Sequence, residues 1–210
     1  MSIYHLHAKI ISRKDGRRVV AAAAYRAGTV LTDEGSGITH DFRAKRGVVH
    51  AEIIAPPTAP GWVYDRQALW NTVEKVEQRR DAQLAREIEL ALPIELTLQG
   101  QIHLARAYVA NVLVSVGMIV DIAIHTNDAP NPHAHLLLTT RKITATGFGP
   151  KDRSWSTTDS LLGWRRNWAE IANSHLRAAR ENPQYIDHRS LSQQGIARLP
   201  ASKWGLSQNA

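Results

Sequence analysis

Polar and apolar positions alternate along IYHLHAKII (3–11), predicting a strand with Ile3, His5, His7 and Lys9 on one face and Tyr4, Leu6, Ala8 and Ile10 on the other. The turn sequence SRKDG follows. RRVVAAAAYRAGTVL then has the propensity of a helix, ending near Gly28. GITHDF and GVVHAEIIA, separated by RAKR, predict a hairpin, and PPTAPG breaks the chain. DRQALWNTVEKVEQRR predicts a helix with an apolar stripe of Leu69, Val73 and Val76, joined by Trp70. LAREIELALP alternates as a strand up to Pro93, and a helix over 97–115 starts at Thr97 as its N-cap. MIVDIAIH and HAHLLLTT predict two strands joined by TNDAPNP. The basic segment RKITATGFGPKDR reads as flexible and leads to a helix near 160–181; the tail from Asn182 has weak periodicity. Strands and helices do not alternate as regular β–α–β units. The pattern therefore predicts an α+β domain, an antiparallel or mixed sheet covered by helices, with no internal repeat or clear domain boundary.

Composition narrows the picture. A chain of 210 residues, 43% hydrophobic, can bury one substantial core. The absence of cysteine excludes disulfides, cysteine–zinc sites and iron–sulfur clusters. No apolar run has the length of a membrane span and the first residues lack the layout of a secretion signal, so the expectation is a soluble cytoplasmic protein without membrane insertion. The net charge of +7 and pI near 10.0 point to an anionic partner, most simply nucleic acid. Residues 1–50 carry nine Lys/Arg against four Asp/Glu and residues 141–180 eight against three, whereas residues 51–140 carry six against ten. Two basic blocks thus flank a more acidic middle.

His125, His133 and His135, three of the ten histidines, fall within eleven positions. His133 and His135 are two apart in a predicted strand and leave the same face, with Ala134, Leu136 and Leu138 opposite. On the preceding strand Asp121, Ala123 and His125 lie opposite Met118, Val120, Ile122 and Ile124. A seven-residue connection makes the two strands antiparallel neighbours, so three imidazoles can converge on one metal. Such a metal would serve as a Lewis acid on a phosphate or as a source of hydroxide, and the histidines do not choose between these. The competing reading is three structural or surface histidines.

Tyr25 sits on an alanine-rich helix, roughly 140° from the face shared by Val20, Ala24 and Ala27. Its neighbours Ala21, Ala22, Gly28 and Thr29 are small, so a bulky polyanion can approach the phenol; Arg18 lies two turns back on that side and Arg26 is adjacent. An unperturbed phenol, with a pKa of about 10, needs cations or a base to act as a nucleophile. Glu87 and Glu89 share one face of LAREIELALP, from which either can orient an imidazole or take a proton. The alternatives are a ring that covers a neighbouring element and acids that face solvent.

Together these residues resemble the nicking domain of plasmid conjugative relaxases of the MobA/MobL family, TraA-type relaxases included. The resemblance rests on IYHLHAKIISR with His5, AAAAYRAG with Tyr25, EIELALPIELT, IHTNDAPNPHAHLLLTTR and IDHRSLSQQGI, spanning about residues 1–196. It implies a five-stranded antiparallel sheet with flanking helices, the fold of single-tyrosine HUH endonucleases. By that likeness Tyr25 is the nucleophile and His125, His133 and His135 the metal ligands. Glu87 and Glu89 both fall at the acidic strand position, His5 and Arg26 lie near the active site, and no role is implied for His7.

The activity so implied is site- and strand-specific nicking and rejoining at a plasmid origin of transfer, through a 5′-phosphotyrosyl intermediate, to start conjugative transfer. One divalent ion is expected, manganese or magnesium in function, with nickel, cobalt or zinc able to occupy the site. Expected partners are single-stranded and hairpin origin DNA, accessory relaxosome proteins and a type IV secretion coupling protein. The expected DNA contacts are Arg17, Arg18, Arg43, Lys45, Arg46, Arg141, Lys142, Lys151 and Arg153. Trp155, Trp164 and Trp168 lie near the second basic block as candidate base-stacking residues, the last two equally as core. Residues 1–200 form the expected nicking domain and 201–210 a tail. Rival readings are a rolling-circle replication initiator, whose tyrosine follows the histidines as only Tyr185 does here, a three-histidine hydrolase with a structural Tyr25, and a non-catalytic DNA-binding protein.

Overall fold

The computed structural model describes residues 4–126, 131–179, 183–190 and 192–195. In chain order the first elements are β1 (Leu6–Ser12), α1 (Val19–Ala27), β2 (Val30–Asp33), β3 (Ile38–Asp41), β4 (Val48–Ile54) and α2 (Arg66–Val76). They are followed by β5 (Gln83–Ala91), α3 (Leu98–Tyr108), β6 (Val120–His125), β7 (His133–Thr139), β8 (Arg141–Thr144), β9 (Gly147–Lys151) and α4 (Thr158–Ala179). Strands β1-β5-β7-β6-β4, in that spatial order, form a five-stranded sheet in which every pairing is antiparallel. This is the expected α+β architecture. The expected strand start at Ile3, residues 127–130 of the TNDAPNP loop and the 201–210 tail lie outside the described residues.

Strand alternation sorts the side chains onto two faces. Val120, Ile122 and Ile124 of β6, Ala134, Leu136 and Leu138 of β7, and Ile88 and Leu90 of β5 share one core with α3 and α4. There Tyr108 meets Trp168 edge-on, with ring centroids 5.2 Å apart, and its hydroxyl donates to the Trp164 carbonyl at 3.2 Å. Each such side chain contributes about 1.5–3 kcal/mol by leaving water. Trp155, Trp164 and Trp168 all belong to this core, so none is placed to stack on bases. On the other face Ile11, Ala85 and Leu137 pack under α1 and α2, through Val20, Ala24, Leu69, Trp70 and Val73. Val76, expected in that stripe, is exposed at the end of α2.

Side chains cap both helices, Thr97 as its position predicts. Asp65 accepts from the Ala68 amide at the start of α2, and Thr97 from the Gly100 amide at the start of α3. The helix expected to reach 115 is α-helical to Tyr108, widens to a π turn over Val109–Leu113, tightens to a 3-10 turn over Val114–Val116 and stops at Gly117.

Two further expectations are corrected. GITHDF does not pair with GVVHAEIIA. Instead β3 pairs with β2, and β4 crosses to the sheet edge beside β6. The reason is Gly28, whose left-handed conformation (φ 61°) ends α1 and frees Val30–Asp33 to form a strand. Asp33 Oδ1 then accepts from the amides of Gly35 and Ser36, closing the β2–β3 turn. The segment read as flexible is an ordered β8–β9 hairpin, closed around Thr144 and Gly147, with Phe148 edge-on to Trp62 at 5.9 Å.

Candidate active site

The antiparallel register pairs His125 of β6 with His133 of β7, and His135 points from the same face two residues on. Ring centroids are 5.3 Å apart for His125–His133, 4.7 Å for His125–His135 and 5.1 Å for His133–His135. One ring nitrogen from each lies within 4.8 Å of the others. Below the site the same face continues into core: Leu137 follows on β7, and Ala123 and Asp121 on β6. Asp121 is buried and held by Arg66 at 2.8 and 2.9 Å and by the Trp70 indole at 2.9 Å, which ties α2 to the strand that carries His125.

The hydrogen bonds assign the proton on each ring, because every acceptor is an oxygen that carries no hydrogen. Nε2 of His125 donates to the Arg26 carbonyl at 2.7 Å. Nδ1 of His133 donates to the Asn131 carbonyl at 2.9 Å, and Nδ1 of His135 to Glu87 Oε1 at 2.9 Å. In neutral imidazoles this leaves one unprotonated nitrogen on each ring, the state in which histidine binds a metal. Burial pushes His125 down to about 4, so it is neutral near pH 7. Three clustered imidazoles, each anchored through one ring nitrogen, fit a divalent ion with open coordination positions.

Glu87 is the hub behind the histidines. Its side chain is 1% exposed, yet it accepts from His135, from Nε and Nη2 of Arg26, and pairs with Lys9 Nζ at 3.0 Å. Burial by itself would raise its pKa, but these donors hold it far below the usual carboxylate range. Glu89 stands directly across from His135 on one side and His7 on the other. Glu87 reaches His135 along the diagonal instead, and among the described residues the Glu89 carboxylate makes no side-chain hydrogen bond or ion pair.

Tyr25 is on the last turn of α1, 49% exposed, with its ring edge-on to Phe42 at 5.2 Å. Lys45 Nζ lies 3.8 Å from the ring centroid and donates to the Tyr25 carbonyl at 3.0 Å. Burial, aided by repulsion from Arg26, pushes Lys45 down to about 8. The expected neighbour Arg18 faces elsewhere, pairing with Asp33 at 2.9 Å and Glu74 at 3.6 Å. Arg26 joins Tyr25 to the histidines through its carbonyl and its guanidinium, so the predicted tyrosine, acidic and histidine elements meet at one end of the sheet.

The remaining candidates divide. His5 stacks on His7 at 6.5 Å, and its carbonyl accepts from the Ala91 amide, opposite His133. Arg141 and Lys151 pair with buried Glu77, Lys142 with Asp152, and Arg43 with Asp41 of its own turn. Arg17, Arg46 and Arg153 are exposed and make no ion pair among the described residues. Tyr185 lies against Arg177 of α4. Sequence reasoning missed Phe42, the Asn131 carbonyl and the inward roles of Lys45 and Arg66. It also passed over Lys9, which pairs with Glu87 and did carry a signal, since it shares the alternating face of His5 and His7.

No helix among the described residues is long and apolar enough to cross a membrane. In fold, the chain matches the conjugative relaxase TrwC, solved with oriT DNA and metal, at a TM-score of 0.53, 10% identity, and coverage of 83% of this chain and 70% of that one. It matches a structure described as the molecular basis of vancomycin resistance transfer in Staphylococcus aureus at a TM-score of 0.85 and 32% identity, covering 90% of this chain and 100% of that one. A conjugal transfer protein TraA from Agrobacterium fabrum is 36% identical over 100% of this chain. A mobilization protein MobL from Acidithiobacillus ferridurans is 35% identical over 98% of it. The chain spans 22% of the length of that TraA and 62% of that MobL. The MobA/MobL family model matches residues 17–210, and with the relaxase fold and these relatives it establishes that the chain belongs to the MobA/MobL family.

Proposed function

We propose that residues 1–200 are a DNA relaxase domain that nicks and rejoins one strand at a plasmid origin of transfer, with Tyr25 as nucleophile. The observation that supports the reading is the bond from His125 to the carbonyl of Arg26, which ties the end of the helix that carries the exposed Tyr25 to a cluster of three histidines able to hold a metal. A divalent metal held by His125, His133 and His135 would draw charge from the non-bridging oxygens of the scissile phosphate. Tyr25 Oη forms a bond to phosphorus as the bond to the 3′ oxygen breaks; the phenol loses its proton and the 3′ oxygen gains one. One phosphodiester replaces another, so the step needs no ATP and runs backwards to rejoin the strand.

Glu87 serves here as the group that orients His135 and neutralises Arg26 and Lys9, since a carboxylate held so strongly ionised is a poor proton acceptor. Glu89 keeps its free carboxylate on the same face for proton transfer. Manganese or magnesium is the proposed functional ion. The proposed substrate is single-stranded and hairpin origin DNA; TrwC, similar in fold, was solved with oriT DNA and with a 27-mer comprising the recognition hairpin and the cleavage site. Accessory relaxosome proteins, a type IV coupling protein and a cytoplasmic location in the donor cell belong to the same reading.

The test is incubation with a single-stranded origin oligonucleotide and manganese, followed by peptide mapping. The expected product is a covalent adduct on the Tyr25 peptide that Tyr25→Phe abolishes. Nicking that survives Tyr25→Phe would instead make the site a hydrolase.

A further inference from the structure

An arginine next to a nucleophilic tyrosine would ordinarily be given to the phosphate. Arg26 is turned inward instead, with a side chain only 13% exposed. Nε and Nη2 grip both oxygens of Glu87, and Nη1 donates to the Ala22 carbonyl at 2.7 Å in its own helix. Three of the five guanidinium N–H groups are thus committed within the protein.

Residue 26 meets the metal site twice, through two different histidines. Its carbonyl, one of the orphan acceptors at the end of α1, takes the Nε2 proton of His125. Its guanidinium fixes Glu87, which takes the Nδ1 proton of His135. The carbonyl just before it, that of Tyr25, is held by Lys45. The last turn of α1 and two of the three ligands are therefore one hydrogen-bonded unit. Rotation of His125 pulls on the backbone carbonyl of residue 26 and rotation of His135 pulls, by way of Glu87, on its guanidinium, while the Tyr25 ring hangs on the adjoining Cα.

Resting on the proposed relaxase reading, we infer that Arg26 is a positioning residue that makes metal binding and the placement of Tyr25 a single linked equilibrium. Loading the histidines selects the α1 end that presents the phenol, and by reciprocity a correctly placed α1 end tightens the metal site. The planar fork matters more than the charge, because only a guanidinium spans both Glu87 oxygens while reaching Ala22.

The experiment compares wild type, Arg26→Gln and Arg26→Lys, after circular dichroism shows which variants are folded. Without DNA, calorimetry with manganese should show affinity reduced about 10- to 100-fold in both variants, the range for loss of an outer-shell partner. Zinc added to carbon-13 tyrosine-labelled protein should shift the Tyr25 resonance, identified by its loss in Tyr25→Phe, in wild type and not in the variants. With origin DNA, the nicking rate should fall while DNA affinity stays unchanged. Unchanged metal affinity with a Tyr25 resonance that still responds would overturn the inference, as would a Lys variant that restores rate fully or a loss confined to DNA affinity. If Arg26→Gln fails to fold, Arg26→Lys carries the same three readouts. A wild type that forms no adduct yet shows the metal response of Tyr25 would sink the relaxase reading alone. A wild type that nicks through Tyr25, with variants indistinguishable from it, would sink the linkage alone.

Discussion

The ammonium of Lys45 lies 3.8 Å above the ring of Tyr25 while donating to that residue's carbonyl oxygen, so one cation holds both the ring and the backbone of the proposed nucleophile. A cation–π contact of about 1 kcal/mol corresponds to roughly fivefold in rate. Lys45→Met should therefore slow adduct formation by about that factor below pH 8. The folded value of Lys45 lies below its free value, so its charge disappears as pH rises through about 8. The ratio of wild-type to variant rate should shrink above that pH, and a ratio that is constant with pH would remove Lys45 from this role.

Manganese should raise the melting temperature of the wild type. Saturation at about a hundred times Kd is worth about 2.7 kcal/mol. His133→Ala and His135→Ala, each lacking one of the three clustered nitrogens, should lose most of that rise. A chelator should stop nicking and leave the circular dichroism spectrum intact, because the sheet is held by apolar faces independent of the ion. Equal melting shifts in wild type and variants would place the metal elsewhere.

Glu87 should make the protein acid-sensitive. Its folded pKa is depressed below the free value of 4.5, so its stabilisation is complete above 4.5 and is lost as pH falls toward the lower folded value. Glu87→Gln leaves Arg26 buried against a neutral partner and should cost about 3 kcal/mol at neutral pH. Urea unfolding at a series of pH values should show the wild type losing stability on acidification below 4.5 more steeply than the variant.

Gly28→Ala tests the helix end under Tyr25. At φ 61° an alanine is strained, and its Cβ would meet Val48 Cγ2 at 3.1 Å. The left-handed penalty of about 1–2 kcal/mol should lower the melting temperature by roughly 2–8 °C. Since Val48 pairs with His125, nicking should fall further than stability explains, and activity at wild-type level would show that the α1 end tolerates displacement.

Salt dependence should separate the arginines. Arg17, Arg46 and Arg153 are exposed and make no ion pair among the described residues, so alanine at each should weaken binding of single-stranded DNA and reduce the salt slope by about 0.7. Arg18→Ala removes partners from buried Asp33 and from Glu74 and should lower stability with little change of slope. Competition binding at several salt concentrations, alongside thermal melts, distinguishes the two outcomes.

Much of this molecule was legible one strand at a time. Alternation put His133 and His135 on one face of a strand and the leucines on the other, and a short connection brought His125 alongside, because side-chain direction along a strand is a local property of the backbone. The cap at Thr97 was legible from local sequence too. The partner of β3 was not, since GITHDF alternates equally well against either neighbour, and Val30–Asp33, just past the helix end at Gly28, is too short to announce itself as a strand.

By itself the sequence determined the α+β architecture, the histidine face and a tyrosine on a small-residue helix. Only the tertiary structure decided that Glu87 and not Glu89 holds His135, that Arg26 faces inward, and that Lys45 serves Tyr25. Each of those choices depends on the register between elements distant in sequence: a diagonal across β5 and β7, and the end of α1 set against β6. Local alternation carries no information about which of two equivalent carboxylates falls within 3 Å of a given nitrogen; packing of the whole sheet does.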